Sequence, residues 1–519
     1  MGFASTVRPR PVAERAVARE RYRAAGTGKA LALSAARWRQ TSEASAVVAD
    51  PKTYETTKLR AVSAGRSLFV RHLTVAGMSL VGSTFLIRSL GPADWATYTI
   101  GYYLVVFFDT TLVSKVLGHL IRSPEAPTPD DVATASRLMQ IAGGALFVLF
   151  AAICVPASDL FGRADLRYVL LAVGTCAYVY SSRSVSAALL ERSLDYRAIA
   201  VADVLDQLSF YVIAVPLVLA GFGVPGVAVA LATRGGLPAF LLRRRRPTPW
   251  LGWVDGRRLR RILDFGVPSL LLSMVVLLDG LVPTLVLGGS HAVELAFVMT
   301  SGTIIGYAVT ASVVTQRVSF PGLASLQSDP SRFRSALHRL VVLTNCAVIT
   351  PTVPLAALGT VWLPLLFGES WEQAGIVMAV FGSGLLVSVV TLMLASALAS
   401  HGYARETLAL QLSITLVYLG LALVLEPPWI LLGVPVAYLV SRIVGLGTTW
   451  DVLRRRGIRV RLGGPVVQLA FAAAITIGTS ALIDEGMAPV GFAVLAVAGL
   501  AWWLVARRDM LVLVRAARP

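Results

Sequence analysis

The sequence predicts an all-α polytopic membrane protein of about fourteen transmembrane helices: two six-helix lobes around a central cavity, plus two C-terminal helices. Three observations predict it. The 519 residues are 56% hydrophobic and 15% charged, with a mean hydropathy of +0.71, outside the range of soluble globular domains. Stretches of about 20 mainly apolar residues, the length that crosses a bilayer as helix, recur from about residue 68 to the C-terminal end with short gaps. The formal net charge of +18 falls in arginine clusters between those stretches rather than on one contiguous phosphate-binding surface, so it reports topology and not nucleic acid.

Residues 1–66 are rich in Ala, Arg, Ser and Thr and cannot bury a core of their own. They read as a basic flexible cytoplasmic tail, with a basic helix lying on anionic lipid as the alternative. The opening MGFASTVRPRPVAERAVARERYRAAG lacks the apolar core and cleavage site of a secretory signal. Spans follow at about 68–89, 95–117, 134–156, 166–188, 199–220, 224–242, 263–287, 294–316, 338–363, 373–398, 407–425, 429–450, 465–483 and 488–506. They divide into an N-lobe (67–243), a basic cytoplasmic linker (244–261), a C-lobe (262–450) and a region with two extra spans and a short basic tail (451–519). Pro216, Pro268, Pro283 and Pro354 lie within spans, where membrane helices use proline as a bend.

Alternate loops carry LLRRRRPTPWLGWVDGRRLRR (241–261), RVSFPGLASLQSDPSRFRSALHR (317–339) and RRRGIRVR (454–461), whereas GFGVPG, LGGSHAVE, FGESWEQ, LEPPW and IDEGMAP carry no Lys or Arg. Short loops with this bias orient the chain with both termini cytoplasmic, and put Arg88, Arg163 and Arg167 on the outer side. A repeat at an offset of about 200 residues supports two equivalent halves. Leu160-Phe161-Gly162 recurs as Leu366-Phe367-Gly368, Leu90-Gly91 as Leu287-Gly288, and Tyr196 with Arg197 as Tyr403 with Arg405.

An ionisable group within a span costs about 2.5–3.5 kcal/mol on insertion scales, so it faces a cavity or a partner. In the first half these groups are Asp109, Asp203, Asp206 and Arg234, with Arg71, Lys115 and Arg183 closer to the inner surface. Asp109, Asp206 and Arg234 come out at similar depth. Two readings stay open: a salt bridge that positions the second, fifth and sixth spans, or a charged lumen in which Arg234 meets an anionic headgroup and Asp109 or Asp206 couples to a cation. In the second half Asp279 stands alone in mid-span, and Arg317 and Arg442 read as snorkelling anchors. Trp95, Tyr98, Tyr102 and Tyr103 read as an interfacial aromatic belt, and His291 and Glu294 as solvated loop residues. Cys154, Cys176 and Cys346 match no metal or disulfide spacing. The sequence holds no P-loop, GxSxG or HExxH and its outer loops are short, so an enzyme of polymer assembly is disfavoured and no cofactor or metal is implied.

FLIRSLGPADWATYTIGYYL (85–104), LLERSLDYRAIAVADVLDQLSFYVIAVPLVLAGFGVPGVAVA (189–230), ILDFGVPSLL (262–271), RVSFPGLASLQSDPSRFRSAL (317–337) and LPLLFGESWEQAGIVM (363–378) together resemble the bacterial polysaccharide and O-antigen flippases. That family lies in the superfamily that also holds multidrug extruders and the lipid II flippase. The resemblance implies an alternating-access flippase of the bacterial plasma membrane, moving an undecaprenyl-pyrophosphate-linked oligosaccharide to the outer leaflet. It implies a role in binding the anion for Arg234 and, after it, Arg71, Arg88 and Arg183. Asp109, Asp203, Asp206 and Asp279 remain salt-bridge or coupling groups, with H+ or Na+ as coupling ion and polysaccharide-assembly proteins as partners. A cation-coupled multidrug extruder is the alternative, and those same aspartates are what it would use. The basic N-terminal extension and the two extra C-terminal spans depart from the twelve-span pattern of O-antigen flippases.

Overall fold

The computed structural model describes residues 51–111, 117, 120, 127–193, 195–249, 256–325, 329–458, 460 and 462–517, some stretches by their backbone alone. The chain divides into two compact units, 1–67 and 68–519, and the second carries the spans. Among the described residues there is no strand. The helices are α1 (Pro51–Thr111), α2 (Pro129–Leu160), α3 (Leu166–Arg192), α4 (Tyr196–Leu217), α5 (Gly223–Thr233), α6 (Gly236–Arg245), α7 (Gly256–Leu287), α8 (Ala292–Ser325), α9 (Pro330–Ala357), α10 (Gly359–Phe367), α11 (Ala374–Ser400), α12 (Ala404–Leu425), α13 (Gly433–Arg455), α14 (Gly463–Asp484) and α15 (Ala488–Ala517). Since α1 is two helices joined at a kink and α5–α6 and α9–α10 are each one interrupted span, these make fourteen spans. Eight helices among the described residues are long and apolar enough to cross a membrane by composition alone.

The interruptions follow from local chemistry. Gly91 sits at φ 73°, ψ 171°, a region essentially closed to other residues, and Pro92 removes the next amide donor, so α1 turns there. Thr128, just ahead of Pro129, and Asp131 in the first turn form a reciprocal capping box, which fixes where α2 begins. Pro216 precedes a π-turn at Val218–Phe222, with Gly221 at φ 88°, and the chain reverses into α5.

In the first half α3 packs against α2, α5 and α6, and α4 against α5 and α6; in the second, α11 packs against α8, α9 and α13, and α12 against α7 and α13. The C-terminal pair joins the second half, α14 lying on α9 and α11 and α15 on α14 and α9.

Polar contacts tie the halves together at both ends. On the arginine-poor face, Arg163 donates from Nε to the Gly288 carbonyl (2.9 Å) and from Nη1 to the Ala93 carbonyl (3.2 Å) and Thr97 hydroxyl (3.3 Å). Nearby, Trp95 Nε1 donates to Thr300 at 2.8 Å, and Tyr103 donates to the Val276 carbonyl on α7 at 3.2 Å. On the basic face, Arg258 at the start of α7 holds Asp131 (2.9 Å) and Asp130 (3.2 Å) at the start of α2. Partial burial pushes the Asp131 carboxyl up, but hydrogen bonds from Thr128 and Arg258 outweigh it and hold it below the usual carboxylate range.

The aromatic-belt expectation is corrected here. Trp95 and Tyr98 are 6% and 3% exposed, because the kink at Gly91 turns the helix that carries them into the bundle. His291 is partly exposed and its Nε2 also lies 3.1 Å from Glu426.

Gly91→Ala is expected to cost about 1–3 kcal/mol through its backbone conformation, seen as a lower midpoint of thermal unfolding in detergent. Gly144→Ala, in open space within α2, is the matched control and should lose nothing; equal midpoints for the two variants would show the kink is unstrained.

Candidate functional site

The break between α5 and α6 places Arg234 in the interior. Thr233 ends one helix, Gly236 begins the next, and a Cβ on Gly235 would lie only 2.6 Å from the Tyr180 ring, so glycine lets this corner press against α3. The Arg234 carbonyl accepts a hydrogen bond from the Ser209 hydroxyl on α4 at 2.9 Å, replacing a bond lost at the break.

Around Arg234 lies a closed set of polar groups from four helices. Its Nε donates to Asp206 Oδ2 at 2.6 Å and its Nη2 to Gln207 Oε1 at 2.7 Å. Asp206 also accepts from the Tyr180 hydroxyl at 2.8 Å and faces Arg183 Nη1 at 3.5 Å, while Gln207 donates to Ser79 on α1 at 2.8 Å. Arg183 lies over the Tyr180 ring, 4.0 Å from its centre, and Arg234 lies 5.6 Å from both Tyr102 and Phe210. Among the described residues, two guanidiniums, Arg234 and Arg183, thus meet the Asp206 carboxylate between aromatic rings. Arg234 is 7% exposed, and its Nη1 is buried and makes no well-formed hydrogen bond. A buried donor of this kind is costly unless something occupies it.

The other residues expected from the sequence fall around or away from this cluster. Arg71 pairs with Asp203 at 2.8 Å on the same pair of helices. Arg88 is exposed and stands three residues before the Gly91 kink, apart from the cluster. The side chains of Asp109 and Arg317, and all of Lys115, lie outside the described residues.

A second cluster was not expected. Arg442, read from the sequence as a surface anchor, is 4% exposed and forms an ion pair with Asp279, which also accepts from Thr415 at 3.1 Å. Its guanidinium lies 4.4 Å from the Tyr438 ring and 5.8 Å from the Tyr418 ring, and its Nε makes no hydrogen bond. Arg442 and Arg234 are 208 positions apart, as are Tyr418 and Phe210 (442 minus 234, 418 minus 210). The two halves thus place a buried arginine and its aromatic neighbour at equivalent points. The signal was present in the repeat offset, but it becomes visible only when the loop matches are extended into the spans.

A profile of the family described as "Polysaccharide biosynthesis protein" matches residues 85–376. Among solved structures, a lipid II flippase MurJ in an inward closed conformation superposes with a TM-score of 0.69 at 12% identity, covering 87% of this chain and all of that one. An inward-facing multidrug resistance MATE family transporter of the MOP superfamily gives 0.52 at 15% identity, covering 73% and 95%. The Vibrio cholerae MATE transporter VcmN gives 0.51 at 14%, covering 77% and 99%. At these identities the likeness is one of fold. No curated protein matches the chain in sequence.

Removing one member of the buried pair leaves an unpaired charge, which costs about 3–5 kcal/mol. Asp206→Asn and Arg234→Gln should each lower the unfolding midpoint strongly, and the double variant should be less destabilised than the sum of the two. Strict additivity would mean that the 2.6 Å contact carries no coupling.

Proposed function

Because the chain belongs to the polysaccharide biosynthesis protein family, we propose that this multi-pass membrane transporter is a flippase for a polyprenyl-pyrophosphate-linked oligosaccharide. In this reading it sits in the bacterial plasma membrane with both termini and the arginine-rich loops in the cytoplasm, and moves its cargo outward. The observation that carries the reading is the buried Arg234, whose Nη1 makes no hydrogen bond among the described residues. A pyrophosphate cannot enter about 30 Å of hydrocarbon bare, and a guanidinium offers its oxygens paired, planar donors. Arg234 is the primary contact and Arg183 and Arg71 support it; Arg88, exposed near the kink, would meet the anion at the far end of its path.

Asp206 neutralises part of the cluster and holds Arg234 in place, while Tyr180 and Gln207 fix both partners. The two Arg-bearing lobes, 67–243 and 262–450, rock about the linker, and the Arg163 and Arg258 contacts are the ends that part in turn. An inside-negative potential moves an anion outward with about 2.3 kcal/mol per charge per 100 mV, so the potential serves as driving force, with exchange of H+ or Na+ at Asp109 as the coupled variant.

The multidrug-extruder reading needs a carboxylate for a cationic drug. Of the four aspartates that reading would use, the three whose side chains are described, Asp203, Asp206 and Asp279, each hold an arginine, which supports the anion over the cation as cargo.

Complementation of a strain lacking its own polysaccharide flippase separates binding from architecture. Wild type restores surface glycan and Arg234→Gln abolishes it. The neutral pair Arg234→Gln with Asp206→Asn, at matched membrane levels, stays inactive if Arg234 contacts the anion; recovery of glycan in the double variant would reduce Arg234 to a structural role.

A further inference from the structure

The duplication gives two grooves at equivalent places on the basic face, and they differ in one respect. The first, of about 670 Å3, lies between the start of α4 and the end of α6 and is lined by Arg197, Arg244 and Arg245 over Ala198, Val201 and Leu242. The second, of about 660 Å3, lies between the start of α12 and the end of α13, with Arg455 and Arg456 over Ala409, Leu410 and Val452. In the second groove both arginines are neutralised: Arg456 by Glu406 and Arg455 by Asp451, each at 2.7 Å. In the first, none of the three arginines forms an ion pair among the described residues. Its one acid, Asp195, is engaged as the N-cap of α4 through the Ala198 amide. Position 198, 208 before Glu406, is alanine.

We propose that the first groove binds the headgroup of an anionic phospholipid from the surrounding bilayer. Three guanidiniums, none in an ion pair among the described residues, outweigh the single Asp195 carboxylate and complement a phosphodiester. The apolar lining continues into the exposed Val201, Leu208 and Val212 on one face of α4 and Leu237 and Phe240 on α6, a surface suited to acyl chains and not to a soluble anion. Arg244 lies ten residues past Arg234, roughly 15 Å along helix, so this site is distinct from the buried cluster. Its occupant pins the end of α6, where the connection to α7 begins, to the membrane surface.

The test is native mass spectrometry of the purified full chain with phosphatidylglycerol or phosphatidylcholine. Wild type should retain one phosphatidylglycerol in preference to phosphatidylcholine, each single Arg→Gln at 197, 244 or 245 lowering retention about fivefold. Ala198→Glu, which adds the carboxylate found in the neutralised groove, should lower it to a similar degree, and Glu406→Ala with Asp451→Ala should create a second retained phosphatidylglycerol. Equal retention of both lipids, undiminished retention in Ala198→Glu or the arginine variants, or full displacement of the lipid by inorganic phosphate would overturn the proposal.

Discussion

A guanidinium held in the interior of a membrane-embedded bundle is the constraint around which the first half is organised. Burying Arg234 demands an acceptor, and Asp206 supplies it; burying Asp206 demands more than one donor, and Tyr180 and Arg183 complete its shell. Gly235 follows from the same demand, since the chain must break where Arg234 turns inward and the break must lie against Tyr180. Gln207 carries the network to Ser79 on α1. An ion pair of this kind is a weak source of net stability, because desolvation offsets its attraction. Its presence in two equivalent places is better explained by what the site binds than by what it stabilises.

The second half pairs its arginine differently. Arg442 meets a single carboxylate, Asp279, contributed by α7, whereas Arg234 meets an aspartate from α4 that it shares with Arg183. The equivalent arginines have therefore recruited acids from different helices. The halves are thus alike in architecture and unlike in which helix supplies the acid.

Much of the fold was legible in the sequence because lipid imposes length and polarity on every span, and arginine-rich loops mark alternate turns. The convergence of Asp206 and Arg234 was legible too, from depth along their helices. What was not legible depended on direction rather than depth. Arg442 near the end of its span looks like a snorkelling anchor, but α13 rotates it inward against Tyr418 and Tyr438. Trp95 and Tyr98 have the composition of an interfacial belt, yet the turn at Gly91 and Pro92 takes them inside. Asp203 and Arg71 were each visible as ionisable groups within spans, and only the packing of α1 on α4 makes them a pair.

The central claim, movement of a polyprenyl-pyrophosphate oligosaccharide, is tested most directly in proteoliposomes holding a fluorophore-labelled form of that lipid, with an impermeant quencher reading the outer leaflet. The account predicts that the chain brings the inner-leaflet pool within reach of the quencher, faster when a membrane potential drives anions toward the quenched side. An unchanged protected pool, together with ion-gradient-driven uptake of a cationic dye by the same vesicles, would contradict it.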